Sequence, residues 1–200
     1  MWRPTTSPTR TRRGARAIAA LAATAATAAL LAVPTASGAG TATTARTATT
    51  SGAATAAPYC GITWGSLAKT SAPLTSGRVY GVRAGRHACF DRLVLDMTGP
   101  APGFDVRYVT TVLSDGSGFP VPVTGGARLA VVAHKGATSV PSMPSVAGFT
   151  TFRQVKWAGS FEGYTTLALG VRARLPHRVF TLYDASTNRS RLVVDVAHRW

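Results

Sequence analysis

Two short stretches of alternating sequence constrain the fold of this chain most strongly. Phe90–Met97 reads FDRLVLDM, and Arg191–Val196, near the end of the chain, reads RLVVDV. Apolar and polar residues that alternate with a period of two, many of them β-branched or aromatic, are typical of β-strands. Arg, Leu, Val and Asp recur at the same spacing in both stretches, although a match this short can also arise by chance. If the recurrence is real, two related strands bracket one domain that closes on itself, with their leucine faces toward the core.

The sequence between these stretches predicts more strands and no helix. Gly, Pro, Asp and Ser separate the alternating segments, as expected for turns. Many short strands joined by such turns favour an all-β domain, a β-sandwich or barrel of about eight strands. His134–Gly148 has no period and is predicted to be a long loop. The expected strands are 78–83, 90–97, 104–113, an edge strand near Pro120 and Pro122, 128–133, 151–157, 161–171 after a Gly159-Ser160 turn, 177–183 and 191–196.

Residues 1–39 have the pattern of a secretory signal peptide. Five arginines precede an uncharged run rich in Ala and Leu, Ala17–Val33, and small residues follow at Ser37–Ala39. Removal of this segment by a signal peptidase is the first interpretation, by the Sec or the twin-arginine route. A retained membrane anchor is the alternative, since the run is near the lower length limit for a span. No Cys follows the run, so no lipid attachment is expected.

Residues 40–58 are rich in Ala, Thr, Gly and Ser and are predicted to be a disordered linker. The globular domain is therefore expected at residues 59–200. Without residues 1–39 the chain has 17 basic and 7 acidic residues, a net charge of +10, and the basic residues are mostly Arg. Such a charge attracts anionic polymers, although a genome biased toward Arg codons would give the same composition. No nucleic-acid-binding motif is present, so no nucleic-acid partner is expected.

The two cysteines, Cys60 and Cys89, are predicted to form a disulfide, because an even number of cysteines in an exported chain favours pairing. Neither lies in a C-x-x-C motif or at a ligand spacing from a His, so no metal site is expected. Closure of this loop would stabilise the fold by about 3–4 kcal/mol in the chain-entropy model.

The sequence offers little for catalysis. Ser66 and Lys69 have the S-x-x-K spacing of penicillin-binding enzymes, but the accompanying K-T-G and S-D-N motifs are missing. The four histidines have no zinc-binding spacing, and Glu162 is the only glutamate available to a paired-carboxylate glycosidase. We therefore expect no catalytic residues, no cofactor and no enzymatic activity. Asp96 and Asp195 are expected to pair with Arg92 and Arg191 across a strand face.

A binding surface is easier to support, because aromatic rings and hydrogen-bonding cations on a flat β face suit sugars and wall polymers. The alternative is that the aromatic residues belong to the core and the charged ones are simply solvated. The predicted binding residues are close in sequence and comprise Arg153, Lys156, Trp157, Phe161, Glu162, Tyr164 and Arg172.

The domain resembles the AMIN-like domain of actinobacterial secreted proteins and lipoproteins. The stretches that carry this resemblance are Cys89–Gly99, Pro102–Tyr108, Phe161–Gly163 and Arg191–Val196. AMIN domains are β-sandwiches attached to cell-wall amidases and secretins, and they are thought to direct these proteins to peptidoglycan. The resemblance implies a non-catalytic envelope module and supplies no catalytic residues. This chain differs from those settings in having no attached amidase or pore domain and no lipid-anchoring Cys.

The leading functional prediction is therefore a secreted, wall-associated module that binds peptidoglycan or an anionic wall polymer. The first alternative is an envelope protein that interacts with another protein through a sheet edge or the His134–Gly148 loop. The second is a small wall hydrolase that depends on Glu162.

Overall fold

The computed structural model describes residues 58–200, and about half of these residues lie in β-strands, with no α-helix among them. The predictions for residues 1–57, a signal peptide and most of a linker, lie outside the described residues. A short 3₁₀ turn at Tyr59–Gly61 precedes the strands. These are β1 (Lys69–Ser71), β2 (Val79–Arg86), β3 (Phe90–Thr98), β4 (Phe104–Val109), β5 (Val112–Leu113), β6 (Pro120–Val121), β7 (Ala127–Ala133), β8 (Phe152–Phe161), β9 (Tyr164–Val171), β10 (His177–Asp184) and β11 (Arg189–Ala197).

The strands form two antiparallel sheets and one small hairpin. The five-stranded sheet has the order β1-β4-β7-β9-β8, the four-stranded sheet has the order β10-β11-β3-β2, and β5 pairs with β6. The predicted all-β sandwich is confirmed. The two stretches of similar sequence become β3 and β11, which are neighbours at the centre of the four-stranded sheet. The end of the chain therefore pairs with a strand near the start of the domain.

The main core lies between the two sheets and is lined by the leucine faces predicted for β3 and β11. Leu93, Leu95, Leu192 and Val194 are fully buried there and face apolar side chains of the five-stranded sheet such as Leu169. Burial of each of these side chains contributes about 1.5–3 kcal/mol to stability. A period of two puts every second residue into this core, which is why the alternation of the sequence predicts the face correctly.

Asp91 lies on the same buried face, although its side chain is a carboxylate. Its Oδ2 accepts hydrogen bonds from the main-chain N–H groups of Thr151 and Phe152, at 2.5 and 3.0 Å, and its Oδ1 lies 3.2 Å from Nε2 of His198. A buried carboxylate is tolerated where it is hydrogen-bonded. Asp91 thus connects β3 to the start of β8 and to the C-terminal segment.

A second, smaller core covers the outer face of the five-stranded sheet. Val112 and Val123, in and beside the β5–β6 hairpin, pack with Ala158 of β8 and Ala168 of β9. The predicted strand 104–113 is divided here, because β4 ends at Val109 and β5 begins at Val112. The hairpin covers one outer face of the sandwich, so the opposite outer face, on the four-stranded sheet, becomes the place to look for a binding surface.

The prediction of a turn at Gly159-Ser160 is wrong. Gly159 lies inside β8, where the register with β9 shifts between Trp157 and Gly159, and β8 continues to Phe161. The reversal is made by Glu162 and Gly163, both with positive φ (48° and 86°), as a two-residue hairpin turn requires. Sequence patterns favour Gly at both turn positions or Asn before Gly, so a glutamate in the left-handed region was not anticipated.

The loop predicted at His134–Gly148 contains no strand and is fixed to the sandwich by a buried lysine. The ammonium group of Lys135 donates hydrogen bonds to the carbonyl oxygens of Thr98 and Pro100, both at 2.7 Å. Burial lowers the pKa of Lys135 to about 8. The carbonyl partners hold the start of the loop against the turn that follows β3.

The predicted disulfide between Cys60 and Cys89 is present. It joins the segment that precedes β1 to the turn between β2 and β3. The indole of Trp64 donates a hydrogen bond to the carbonyl of Tyr59 at 2.8 Å, and its ring lies 5.9 Å from that of Phe90. The N-terminal segment is therefore held at one end of the four-stranded sheet, where it brings Trp64 to the edge of the outer face.

Candidate binding face

The residues predicted for binding from their closeness in sequence do not share one surface. Lys156 pairs with Ala168 and Trp157 with Leu167, so their side chains leave opposite faces of the five-stranded sheet. Lys156 donates a hydrogen bond to the carbonyl of Pro122 at 2.7 Å, while Trp157 packs against the main core. Trp157 thus has the core role that the sequence left open as an alternative.

The other predicted residues are divided among three further places. Phe161, Glu162 and Tyr164 lie together at the β8–β9 turn, where 54% of Phe161 and 39% of Tyr164 is exposed. Arg153 is exposed on β8 and donates hydrogen bonds to nearby main-chain carbonyls. Arg172 follows the far end of β9, about 26 Å of extended chain from Tyr164, and donates a hydrogen bond to the carbonyl of His198.

A different set of residues comes together on the outer face of the four-stranded sheet. We call this surface the arginine face, and it consists of Arg83 on β2, Arg92 and Asp96 on β3, Arg191 and Asp195 on β11, and Arg178 on β10. Because β3 and β11 are antiparallel, each arginine of the repeated motif lies opposite the aspartate of the other copy: Arg92 opposite Asp195, and Arg191 opposite Asp96.

Asp195 is fully buried and is shared by two guanidinium groups. Arg92 donates two hydrogen bonds to it, at 2.6 and 2.9 Å, and Arg178 donates one at 2.7 Å. The hydrogen bond with Asp195 raises the pKa of Arg92 further above its ordinary value. The carboxylate therefore fixes the positions of two partly exposed cations.

Asp96 on β3 has the position in its motif that Asp195 has in the motif on β11. Its side chain is 15% exposed, whereas that of Asp195 is fully buried. Arg83 donates hydrogen bonds to it at 2.6 and 3.0 Å, and Arg191 lies 3.7 Å away. The hydrogen bond with Asp96 raises the pKa of Arg83. About half of each of these two arginine side chains is accessible to solvent, 56% for Arg83 and 52% for Arg191.

Aromatic rings complete one end of the arginine face. The guanidinium carbon of Arg178 lies 5.3 Å from the ring centre of Phe180, 5.4 Å from that of Phe90 and 5.7 Å from that of Trp64. Arg92 lies 5.1 Å from the ring centre of Phe90. These distances are within the range of cation–π attraction, so the rings and cations form one packed layer.

The interior of this layer is apolar. Val94 and Val193, which lie opposite each other at the centre of the face, are buried although they point away from the main core. Their cross-strand neighbours on this face are Arg83, opposite Val94, and Phe180, opposite Val193. Long arginine side chains can cover apolar surface with their methylene groups while the guanidinium groups stay in water. The arginine face therefore has an apolar layer at Val94 and Val193, with partly exposed arginine side chains around it.

The arginine face has an excess of positive charge, because four arginines are neutralised by only two aspartates. Each carboxylate lies within 4 Å of two guanidinium groups, and all four arginine side chains are partly exposed, from 27% to 56%. Arg189, stacked on Tyr80 at 5.2 Å, adds a further cation at the far end of β11. Guanidinium groups bind carboxylate and phosphate oxygens through paired hydrogen bonds, so this arrangement suits an anionic ligand.

The sequence contained part of the signal for this face. The sequence correctly predicts that the repeated Arg, Val and Asp residues share one strand face and that Arg pairs with Asp, but it indicates only structural pairs. Arg83 on β2 and Arg178 on β10 lie on strands that pair with their sequence neighbours β3 and β11, and only the long-range pairing of β3 with β11 brings them to the same surface.

The part of the chain that the structure describes has no cluster of three or more His, Cys, Asp or Glu residues able to hold a metal ion. His177 is fully buried and its pKa is lowered to about 4, mainly by burial and also by the nearby charge of Lys69.

No helix within residues 58–200 is long and apolar enough to cross a membrane.

Comparison with protein families agrees with the fold. The model of the AMIN-like domain matches residues 77–198, which is more than half of the chain. The chain belongs to the AMIN-like domain family. Searches of curated proteins and of solved structures found no match.

Membership in this family makes the chain a cell-envelope module, with an extracellular or envelope location. The matched part of the AMIN-like domain contains β2 to β11 and therefore the whole arginine face. Residues 58–76, which supply Trp64, Cys60 and β1, precede the match. The disulfide therefore attaches a segment outside the matched region to the matched sandwich.

Proposed function

We propose that this AMIN-like domain is a non-catalytic, secreted module that binds peptidoglycan or an anionic cell-wall polymer, and that the arginine face is its binding surface. The observation that carries the proposal is the layer formed by Arg83, Arg92, Arg178 and Arg191 over two aspartates. A wall polymer with phosphate or carboxylate groups would approach the exposed guanidinium groups of Arg83 and Arg191 first.

The fixed positions of the cations support this proposal. Arg92 and Arg178 are held by Asp195 and by the surrounding rings, so little side-chain freedom remains to be lost when a ligand binds. Preorganised groups bind more tightly than mobile ones because this entropy cost is smaller. The exposed parts of Phe180 and Trp64 offer apolar surfaces to a sugar ring next to the cations.

The net positive charge of the domain also supports binding of an anionic wall polymer. Residues 59–200 contain 16 basic and 7 acidic residues, so more than half of the basic residues have no acidic residue to neutralise them. A surface of one sign attracts a polyanion over several ångströms, and salt screens this attraction. Binding is therefore expected to weaken strongly as the salt concentration rises.

The test is co-sedimentation of the purified protein with wall sacculi, prepared with and without their anionic polymers, at about 50 and about 500 mM salt. The variant R83Q/R191Q removes two exposed cations from the arginine face. R153Q/R172Q is the matched control, since it removes the same charge elsewhere. We expect binding to fall at least about tenfold in the first variant and less than about threefold in the control.

Absence of co-sedimentation at low salt would contradict the proposed function. A larger loss in R153Q/R172Q would move the binding surface back to residues predicted from sequence. Sacculi that clear in turbidity during the assay, with clearing lost in E162Q, would favour the hydrolase alternative.

A further inference from the structure

The sandwich has four sheet edges, and one of them differs from the others. β1 has three residues, β8 has two register shifts, and β2 has one register shift and two glycines. Short strands and bulges are the usual means of preventing an edge from pairing with another chain. β10 has eight residues in continuous register with β11, without Gly, Pro or Lys.

The free side of β10 presents main-chain groups at every second residue. The carbonyl of Pro176 accepts a hydrogen bond from Ala197, so even-numbered residues point toward β11. The N–H of His177 donates to Gly65, on the other side. Alternation along an antiparallel strand then places the N–H and C=O groups of Val179, Thr181 and Tyr183 on the outer side of the edge.

The side chains of β10 are complementary to a second copy of the same strand in the opposite direction. With Thr181 opposite itself, Arg178 lies opposite Asp184, Phe180 opposite Leu182, and Val179 opposite Tyr183. Apolar pairs at facing positions stabilise antiparallel pairing. Arg178 and Asp184 carry opposite charges and face each other just outside the paired segment, where Arg178 already donates a hydrogen bond to Asp195. Leu182 and Tyr183 are 47% and 48% exposed, so both have apolar surface available for such a contact.

We propose that two copies of this chain form a dimer by antiparallel pairing of β10 with β10, centred on Thr181. Main-chain groups of Val179, Thr181 and Tyr183 from each copy would form about six hydrogen bonds. Gly65 occupies the edge at His177, so the pairing begins at Val179. The two four-stranded sheets become one eight-stranded sheet, and the two arginine faces become neighbours on the same side.

Dimerisation can be tested without any wall polymer, so it does not depend on the proposed function. Sedimentation equilibrium is measured for the full chain and for residues 52–200, which contain all the described strands, both cores and the disulfide. We expect a reversible dimer for both. A dimer of the full chain alone would place the contact in residues 1–51 and overturn the proposal.

The decisive variant is Thr181→Pro. The N–H of Thr181 points away from β11, so proline at an edge position leaves the sheet of the monomer intact, while it removes the central hydrogen bonds of the dimer. Thr181→Val is the matched control because it keeps the N–H and the branched side chain. We expect the dimer dissociation constant to rise more than about tenfold in Thr181→Pro and less than about threefold in Thr181→Val.

Hydrogen exchange locates the contact independently. In the dimer, the amides of Val179, Thr181 and Tyr183 are expected to exchange more slowly as the protein concentration rises, and Thr181→Pro should retain the circular dichroism and melting temperature of a folded domain. A monomer at all accessible concentrations overturns the proposal. So does a dimer in which these three amides stay unprotected, or one that Thr181→Pro leaves unchanged.

Discussion

Arg92 of β3 lies directly opposite Asp195 of β11, and its guanidinium group makes two hydrogen bonds to that buried carboxylate. The relationship explains why the two strands have similar sequences. A strand with Arg, Val and Asp at alternate positions is complementary to a copy of itself that runs in the opposite direction, because Arg then faces Asp and Val faces Val. The same reasoning, applied to β10, gives the proposed dimer.

Among the residues of the arginine face, we expect removal of the Asp195 charge to cause the largest loss in the free energy of unfolding. Asp195→Asn leaves Arg92 and Arg178 without their shared counter-charge in a partly buried setting, and we expect a loss of about 2–4 kcal/mol in the free energy of unfolding. Asp96→Asn is the matched control, since its partners Arg83 and Arg191 are half exposed, and it should cost less than about 1 kcal/mol. Urea unfolding at neutral pH measures both. Equal losses would show that burial does not distinguish the two pairs.

Alternation predicted most of the strands and the two faces of β3 and β11, because these depend on nearby sequence. The Arg–Asp pairs were expected from the repeated motif, but Arg92 and Asp195 are 103 residues apart, so their contact depends on the pairing of β3 with β11. The strand β1 was missed, since three residues are too few to show a period. The arginine face could be recognised only in part, because it requires the long-range pairing of β3 with β11, which joins β2 and β10 into the same sheet. Closeness in sequence does not by itself place residues on one surface: Lys156 and Trp157 are adjacent but leave opposite faces of one strand.

Asp91 shows another limit of sequence reasoning. Alternation placed it on the same face as Leu93 and Leu95, but gave no sign that its carboxylate would accept main-chain hydrogen bonds from Thr151 and Phe152, some sixty residues away. Contacts of this range depend on tertiary structure and have no local pattern. The same holds for the hydrogen bonds of Lys135 with Thr98 and Pro100.

Removal of the Asp91 carboxylate is expected to destabilise the start of β8. Asp91→Ala leaves the buried N–H groups of Thr151 and Phe152 without an acceptor, and we expect a loss of about 2–4 kcal/mol. Asp91→Asn keeps one oxygen that can accept both hydrogen bonds, so it should lose about half as much or less. Denaturant unfolding gives the free energies, and hydrogen exchange at Thr151 and Phe152 shows whether the loss is local. An alanine variant as stable as the asparagine variant would contradict this role.

The Cys60–Cys89 disulfide is expected to stabilise the domain and to hold Trp64 beside Phe90. In the chain-entropy model, C60S/C89S should lower the free energy of unfolding by about 3–4 kcal/mol. The double variant avoids a free thiol. Trp64→Phe separates the two effects, since it removes the indole but keeps the disulfide, and it should cost less. If C60S/C89S and the oxidised parent unfold at the same urea concentration, the segment before β1 is held by its other contacts.

His177 is expected to make the domain less stable in mild acid. Burial, with smaller contributions from Lys69 and Arg174, lowers its pKa in the folded state to about 4, whereas an unfolded chain has the ordinary value near 6.5. Between these two pKa values the unfolded state binds more protons than the folded state, so stability decreases as pH falls through this window, by up to about 3 kcal/mol.

Carboxylates also titrate near the lower end of this pH window, so the measured quantity is the difference in the free energy of unfolding between the parent and His177→Leu. Urea unfolding of both at several pH values from 7.5 to about 4 should show a steeper decline for the parent, and the two curves should run parallel above about pH 7. Parallel curves over the whole range would mean that His177 is accessible to protons in the folded state.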